Sequence, residues 1–388
     1  MSRIVIVGGG VIGSAVAYHL LSHPGFSGEV IVIERDPTFA RASSALSASS
    51  IRQQFSSPIN IALSTYGIEF LRSLPEHLAV DGECPDIGLN EGGYLYLAGT
   101  QEGARTLTEN NRLQRNMGAD IALLTATRLA VRFPWLATHD VLLGSLGERG
   151  EGWFDGYGLM QALRKKARSL GAQHVKAELV GLTRDGERIT AVRLDNGETI
   201  DLDMIVNAAG PWAAQVARMV DIELPVRARR RTVFSFSCPQ TLDHCPLLID
   251  PRGLWFRPEG EQFICGLPPI IDHDDMPLEP DYALWDDVAW PLLAERVPAF
   301  EAVRMTGAWA GYYEYNVFDQ NAIVGAHPLC PNLLFANGFS GHGLQQAPAV
   351  GRAVAELIVD GAYQTLDLSA LGLARILENR PLIERNVI

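Results

Sequence analysis

Residues Arg3 to Tyr18 read Arg-Ile-Val-Ile-Val-Gly-Gly-Gly-Val-Ile-Gly-Ser-Ala-Val-Ala-Tyr, a short apolar run, a glycine turn and a helical pattern in direct succession. An apolar run without polar alternation is a strand buried on both faces, as in parallel sheets. Gly8 permits a tight turn, Gly10 lets backbone approach a pyrophosphate, and Gly13 lets the helix pack closely on the strand. Ile12, Ala15, Val16, His19 and Leu20 form the inward stripe of that helix. Val30 to Ile33 supplies the next strand and runs into Glu34, 21 residues beyond Gly13. A carboxylate at that distance accepts hydrogen bonds from a ribose diol and repels a further phosphate on it. The pattern predicts a dinucleotide-binding βαβ unit. Its pyrophosphate belongs at the helix N-terminus, where unpaired N–H groups and the helix dipole favour an anion.

At 388 residues the chain exceeds one ordinary core, which predicts two domains. Apolar residues at 47% and charged residues at 20% describe a globular chain, with no apolar run long enough to span a bilayer. A net charge of −13 argues against a polyanion, and hence against a nucleic-acid partner. The first strand leaves no room for a leader, and five scattered cysteines suit a reducing compartment, so the expectation is a cytoplasmic protein. Cys238, His244 and Cys245 lack a second ligand pair at a suitable spacing, so no metal site is expected. The run Arg229-Arg230-Arg231 reads as a solvated strand entrance.

Further along, Ala42 to Ser56 is rich in small hydroxyl residues, too polar for a core helix, and suited to wrapping a ligand. Ser57 and Pro58 supply an N-cap and an N1 proline for a helix with Ile59, Leu63, Tyr66 and Phe70 on its stripe. A strand is expected near 90–98, a polar helix at 101–116, a helix at 159–170 and a strand at 173–183. Met204 to Trp212 reads as a buried strand ending in small residues. Alternation over 227–317 predicts a mostly antiparallel sheet. Asn332 to Gly343 is a strand running into a second glycine turn, after which Ala349, Val350, Ala353, Val354, Leu357 and Ile358 mark another helix. A second helix N-terminus therefore points at whatever the first unit binds.

Three segments, Gly8 to Gly13 with Glu34, Val206 to Trp212, and Gly338 to Gly343, together resemble the D-amino-acid oxidase-like flavoproteins, among them the sarcosine and glycine oxidases. The likeness covers almost the whole chain. Ser50 to Ser56, Ala308 to Gln320 and Gly338 to Pro348 are similar to FAD-dependent oxidoreductase domain-containing proteins related to a mitochondrial complex I assembly factor. The resemblance implies an α/β fold: a Rossmann-like FAD-binding domain of the GR2 type and an α+β substrate domain on a mostly antiparallel sheet. The FAD-binding domain would be discontinuous (1–82, 149–226 and 318–388), the substrate domain 83–148 with 227–317. It also implies hydride transfer to flavin N5 from the C–N carbon of a secondary or tertiary amine or N-substituted amino acid.

Carried onto this sequence, the resemblance assigns FAD contacts to Gly8, Gly10, Val11, Ile12, Gly13, Glu34, Arg35, Ser43, Ser44 and Ser49. It adds Ala208, Gly210, Trp212, Gly311, Gly338, Ser340, Gly341, His342, Gly343 and Leu344, whose last members bring N–H groups to the pyrimidine edge. Val175 fits either backbone contact with adenine or a core strand. Arg52 matches an arginine that binds substrate carboxylate. Tyr313, His342 and Gln345 join it at the reacting centre. Trp255, Arg257, Tyr312 and Tyr313 suit an aromatic and polar substrate wall, and equally core packing or solvent. Gln345 stands where sarcosine oxidases have a second, lysine carboxylate ligand. The lysine thought to promote reaction with oxygen would fall near Ile264 or Cys265, and its absence favours a dehydrogenase, with a protein or quinone as electron acceptor. The tethering cysteine and histidine of relatives would fall near Gly311 or Tyr312 and near Ser47, so FAD is expected to be non-covalent. Two other readings stay open: a 2-hydroxy-acid dehydrogenase of the same fold, and a flavin-containing assembly factor without turnover. The specific substrate and the oligomeric state are left open.

Overall fold

A computed structural model describes residues 2–385. The continuous apolar runs form the middle of a six-stranded sheet. Its order is Ile323–His327, Cys330–Asn337, Met204–Asn207, Arg3–Val7, Glu29–Glu34, Gln173–Lys176. The first pair is an antiparallel hairpin and the other neighbours are parallel. Pleating sorts alternate side chains to opposite faces. Ile4, Ile6, Val30 and Val32 enter one core, beneath the helices Val11–Ser22, Gly156–Ser169 and Gly343–Val359. Val5, Val7, Ile31 and Ile33 enter another, against an antiparallel sheet of Leu179–Asp185, Arg188–Leu194 and Thr199–Asp201 and the helix Ala213–Arg218. Burial of each such Val or Ile contributes roughly 1.5–3 kcal/mol, so the register of these strands is strongly fixed.

A second sheet of eight strands is antiparallel except where Leu247–Ile249 runs parallel to Tyr94–Ala98. Its core gathers Phe234, Phe236, Phe256, Phe263 and Phe300, with edge-to-face pairs such as Phe236 and Phe300 at 5.1 Å between centroids. At its edge lies Arg304–Asn316, whose far end reaches the parallel sheet: Asn316 N donates to Ser340 Oγ at 3.0 Å and Ser340 N donates to the Glu314 carbonyl at 3.1 Å. This junction seats the glycine turn that opens the helix Gly343–Val359.

Local departures from the sequence reading have physical causes. The strand expected at 173–183 breaks after Lys176, because Ala177 N still bonds the Glu34 carbonyl while Glu178 N turns to Asp195 Oδ1 at 2.9 Å. The strand near 90–98 begins at Tyr94, since Asn90 pairs with Trp153 and Gly93 N bonds the Glu151 carbonyl. Ser57 does precede Pro58 at the helix start, but its hydroxyl bonds Glu384 Oε2 at 3.0 Å instead of a helix amide. Among the described residues no helix is long and apolar enough to cross a membrane.

The helix Gly343–Val359 crosses Val11–Ser22 at Gly351, where an added Cβ would stand 2.7 Å from the carbonyl carbon of Ala15. That neighbour is backbone and cannot rotate away. Gly351→Ala is therefore expected to destabilise the protein by about 1–3 kcal/mol through overpacking, despite the better helix propensity of alanine. Thermal denaturation checks this, and an unchanged melting temperature would show that the two helices separate without cost.

Candidate active site

Parallel strands end on one side of their sheet, and in such folds that is where clefts form. Here a cavity of about 520 Å³ opens beside the turn after Arg3–Val7 and extends to the start of Gly343–Val359. Gly8, Gly10, Val11, Ile12, Glu34, Arg35, Ser43, Ser44, Ser49, Ala208, Gly210 and Trp212 line it. Gly10 is the N-cap of the first helix and has no side chain with which to cap it. Val11 N donates to Ser44 Oγ at 3.1 Å. The Glu34 carboxylate accepts from Gly9 N at 2.9 Å and Asp36 N at 2.8 Å, which fixes its plane and leaves lone pairs free for further donors. The Arg35 guanidinium lies 4.0 Å from the Trp212 ring centroid, and Arg41, which sequence reasoning passed over, lies 5.5 Å from the same ring.

Arg52, Trp255, Gly311, Tyr312, Tyr313, Ser340, Gly341, His342, Gly343, Leu344 and Gln345 also line the cavity. Arg52 is 1% exposed, its guanidinium 4.0 Å from the Phe55 centroid. Its Nη1 donates to the Gln54 carbonyl at 2.5 Å and its Nη2 lies 3.0 Å from His342 Nε2. Because a guanidinium has no acceptor, Nε2 must be the accepting nitrogen, and His342 carries any proton on Nδ1. Burial, followed by the Arg52 charge, lowers the His342 pKa to about 3. Gln345 Oε1 accepts from Arg52 N at 2.9 Å and Ser64 Oγ at 2.8 Å, so this amide ties the last helix to the strand carrying Arg52. Ser43 Oγ donates to the Tyr312 carbonyl at 2.6 Å. The Ser340 hydroxyl serves backbone, accepting from Asn316 N. Tyr313 packs its ring against Gly341, where an added Cβ would come within 2.6 Å of it.

Four of the expected residues stand off the cavity wall. Gly13 serves packing, since a Cβ there would stand 1.9 Å from the Gly8 carbonyl. Val175 pairs with Ile33 in the parallel sheet, and Ala177, Glu178 and Leu179 line the cavity in its place. Gly338 donates its N–H to Glu314 Oε2 at 3.0 Å. Arg257 is buried among Glu259, the Trp153 ring and the Ala48 carbonyl, to which its Nη2 donates at 2.6 Å. It thus holds the Ser-rich loop in place, and of the pair Trp255 and Arg257 it is Trp255 that lines the cavity.

Three features were not read from the sequence as functional. Glu314, buried and lining the cavity, has its carboxyl pushed up to about 8 by burial, with the Gly338 N–H working the other way. Glu151 accepts from Gln53 N at 2.5 Å and Gln54 Nε2 at 2.7 Å behind the Arg52 strand, and burial raises it to about 7 against those hydrogen bonds. The run Arg229 to Arg231, expected as a solvated strand entrance, instead lies inside the strand Val226–Ser237 and straps down the segment 268–281. Arg229 Nε reaches Asp274 at 2.6 Å, Arg231 Nη1 reaches Asp272 at 2.8 Å, and Tyr312 donates its hydroxyl to the Met276 carbonyl at 2.6 Å. The charges neutralise one another next to Pro268 and Asp272, which line the cavity. No group of three or more His, Cys, Asp or Glu side chains among the described residues could hold a metal ion.

Comparison with known proteins bears on this geometry. Residues 3–357 match the family described as DAO, FAD dependent oxidoreductase. The chain belongs to that family. FAD-dependent oxidoreductase domain-containing protein 1 of Xenopus laevis is 44% identical over 423 residues, covering 99% of this chain and 84% of its own. The structure of L-proline dehydrogenase from P. horikoshii superposes with a TM-score of 0.87 at 25% identity, covering 98% of this chain and 99% of its own. Glycine oxidase from Geobacillus kaustophilus gives a TM-score of 0.82 at 25% identity, covering 97% and 99%.

FAD is thus the family's cofactor, and the residues present fit it. Two helices begin on the cavity without a side-chain cap, at Gly10 and His342. Each offers first-turn amides without an intrahelical acceptor and a positive dipole end, one suited to a pyrophosphate and one to a flavin edge that becomes more negative on reduction. Gly210, on the wall at φ +55, has nothing within 4 Å of an added Cβ, which leaves its backbone open to close approach.

The buried, arginine-facing His342 is expected to stay neutral across the working range. Followed by NMR, its ring signals should not titrate between pH 5 and 8 and should move only as pH falls towards about 3. In Arg52→Gln the apparent pKa should rise, since one of the two causes holding it down is removed.

Proposed function

We propose that this protein oxidises the C–N bond of a secondary or tertiary amine or an N-substituted amino acid, and passes the electrons to a carrier other than oxygen. The observation that carries this reading is Arg52: a guanidinium 1% exposed that still borders the cavity. A buried cation placed there suits a substrate carboxylate, which binds a guanidinium through charge-assisted hydrogen bonds. Bound FAD supplies the hydride acceptor, its N5 atom. The chain's task is then to hold the substrate so that its C–H faces that acceptor. His342 accepts from Arg52 and fixes the guanidinium plane, and Gln345 anchors the backbone beneath it. Trp255, Tyr312 and Tyr313 offer apolar surface on which the rest of the substrate excludes water.

The chain has three lysines, Lys165, Lys166 and Lys176, and none lines the cavity among the described residues. Lys165 pairs with Glu83 and Lys166 donates to the Ala79 carbonyl. With no ammonium at hand to assist oxygen, dehydrogenation with a protein or quinone acceptor is favoured. Gly311, Tyr312 and Ser47 occupy the positions at which relatives tether the flavin, which supports non-covalent FAD. Membership of the six-stranded and eight-stranded sheets supports an FAD-binding part made of 1–82, 149–226 and 318–388 and a substrate part made of 83–148 and 227–317. The thiols of the five free cysteines suit a reducing compartment, in keeping with a cytoplasmic setting.

The test is anaerobic reduction of the purified yellow holoprotein. N-methyl amino acids should bleach the flavin absorbance and 2-hydroxy acids should not. Bleaching by hydroxy acids alone would replace this reading with hydroxy-acid dehydrogenation, and no bleaching by either panel would favour a flavin-bearing assembly protein. Arg52→Lys is expected to weaken substrate binding by at least about tenfold, some 1.4 kcal/mol, because one ammonium cannot reproduce a two-pronged contact. Flavin content should be unchanged. Loss of flavin from this variant would assign Arg52 to the cofactor.

A further inference from the structure

Glu314 has no part in the reading above, yet its position is unusual for an acid. It lies opposite Ala228 on the long edge strand, 8% exposed, and borders the cavity. One carboxyl oxygen accepts from Gly338 N at 3.0 Å. The other lies 3.5 Å from where a Cβ on Gly343 would stand, at the first residue of the 17-residue helix that has no side-chain cap. The carboxyl therefore shares a helix tip with the cavity.

Few charges offset it there. On the strand paired with its own, Arg227 and Arg229 flank Ala228, and both are paired, with Asp274 and with Asp272 and Asp274. On its own strand, Tyr313 and Tyr315 have their pKa values raised by burial and stay neutral. From the glycine turn comes His342, neutral and accepting from Arg52, whose charge is engaged by that ring and by the Gln54 carbonyl. The helix itself contributes Gln345, uncharged, and its dipole. A helix tip stabilises roughly half a negative charge. Reduction of a flavin held at this tip adds a negative charge, and two anions on one tip inside a cavity of low polarity repel strongly.

We propose that Glu314 takes up one proton when FAD bound at this helix tip is reduced, so that the two electrons arrive together with one proton more than the flavin itself requires. The balance is simple. Two electrons and one proton, the equivalent of the hydride, go to FAD, from a substrate C–H bond that breaks to leave the oxidised amine or, in a titration, from the electrode and the buffer; a second proton leaves a buffer acid as its conjugate base and forms an O–H bond on a Glu314 carboxylate oxygen. The protonated acid then donates where its anion would have repelled. The inference rests on the proposed pose of FAD, with its pyrimidine edge at the helix tip.

The experiment is spectroelectrochemical titration of the holoprotein from pH 6 to pH 10, following flavin absorbance. Burial raises this carboxyl to about 8, which sets the pH region in which the slope should change. Below that pH the acid is already protonated and contributes nothing to the slope. Above it the midpoint potential should fall more steeply by one proton per two electrons, about 30 mV for each pH unit. Glu314→Gln should remove the extra slope, match the native protein below pH 8 and have the higher potential at pH 9. Redox difference infrared spectra at pH 9 should show a carboxylic C=O band on reduction, absent in the Gln variant. Should Glu314→Gln fail to fold, Glu314→Asp and the break in the native slope decide the matter. Tightly bound flavin with equal slopes in both proteins, or no carboxylic band, overturns the role of Glu314 and leaves the FAD reading intact. Native protein that binds no flavin overturns the pose itself.

Discussion

The structure depends on two helix ends left without side-chain caps. A parallel sheet points the C-terminal ends of its strands one way, so the helices that follow Arg3–Val7 and Cys330–Asn337 both begin on the same side. At each start the first amides have no intrahelical acceptor. Neither Gly10 nor His342 fills them with its own side chain, although Ser44 Oγ takes Val11 N, and a single cavity borders both. Capping either with serine or aspartate would stabilise an isolated helix by about 1 kcal/mol, and would also close the place where an anion is most welcome. The affinity of this fold for a long, doubly charged, ring-ended ligand is thus a property of topology as much as of any single side chain.

Against this positive field the chain sets very few free charges. Arg52 has among its partners two neutral acceptors, His342 and the Gln54 carbonyl, and lies against the ring of Phe55. The Arg229 to Arg231 run, by contrast, is matched to Asp272 and Asp274 and contributes attachment, not field. One arginine thus sits beside the start of the last helix while the others fasten a neighbouring segment, although all four look alike in composition.

Much of the cofactor half was legible in the sequence because its signals are short in range. Gly8, Gly10, Gly13 and Glu34 sit within one βαβ unit, and the apolar runs at 4–7 and 30–33 declare a sheet covered on both sides. What was not legible depends on residues brought together from far apart. Glu314 meets Gly338 and Gly343 only because a strand of the antiparallel sheet ends beside the parallel one. Glu151 finds Gln53 and Gln54 across nearly a hundred positions. Gln345 was read as a weakened substrate ligand, yet its carbonyl oxygen is taken by Arg52 N and Ser64 Oγ, partners that no local pattern reveals. The stop after Lys176 was hidden for a similar reason, since it is set by Asp195 in the turn that follows Arg188–Leu194.

The edge strand Arg304–Asn316 gives the molecule a mechanical property. One unbroken length of backbone is bonded along Val226–Ser237 and, at its other end, through Glu314 and Asn316 to the turn that seats the last helix. The ladder lies within one sheet, and the tie to the other is the short set of bonds from Glu314 and Asn316 to Gly338 and Ser340, which would have to break for the walls of the chamber to part there. The segment 268–281, two of whose residues line the cavity, is fastened to the same frame by side chains, Arg229 and Arg231 on its aspartates and Tyr312 on the Met276 carbonyl, so this stretch of wall hangs on charge pairs where the rest hangs on backbone.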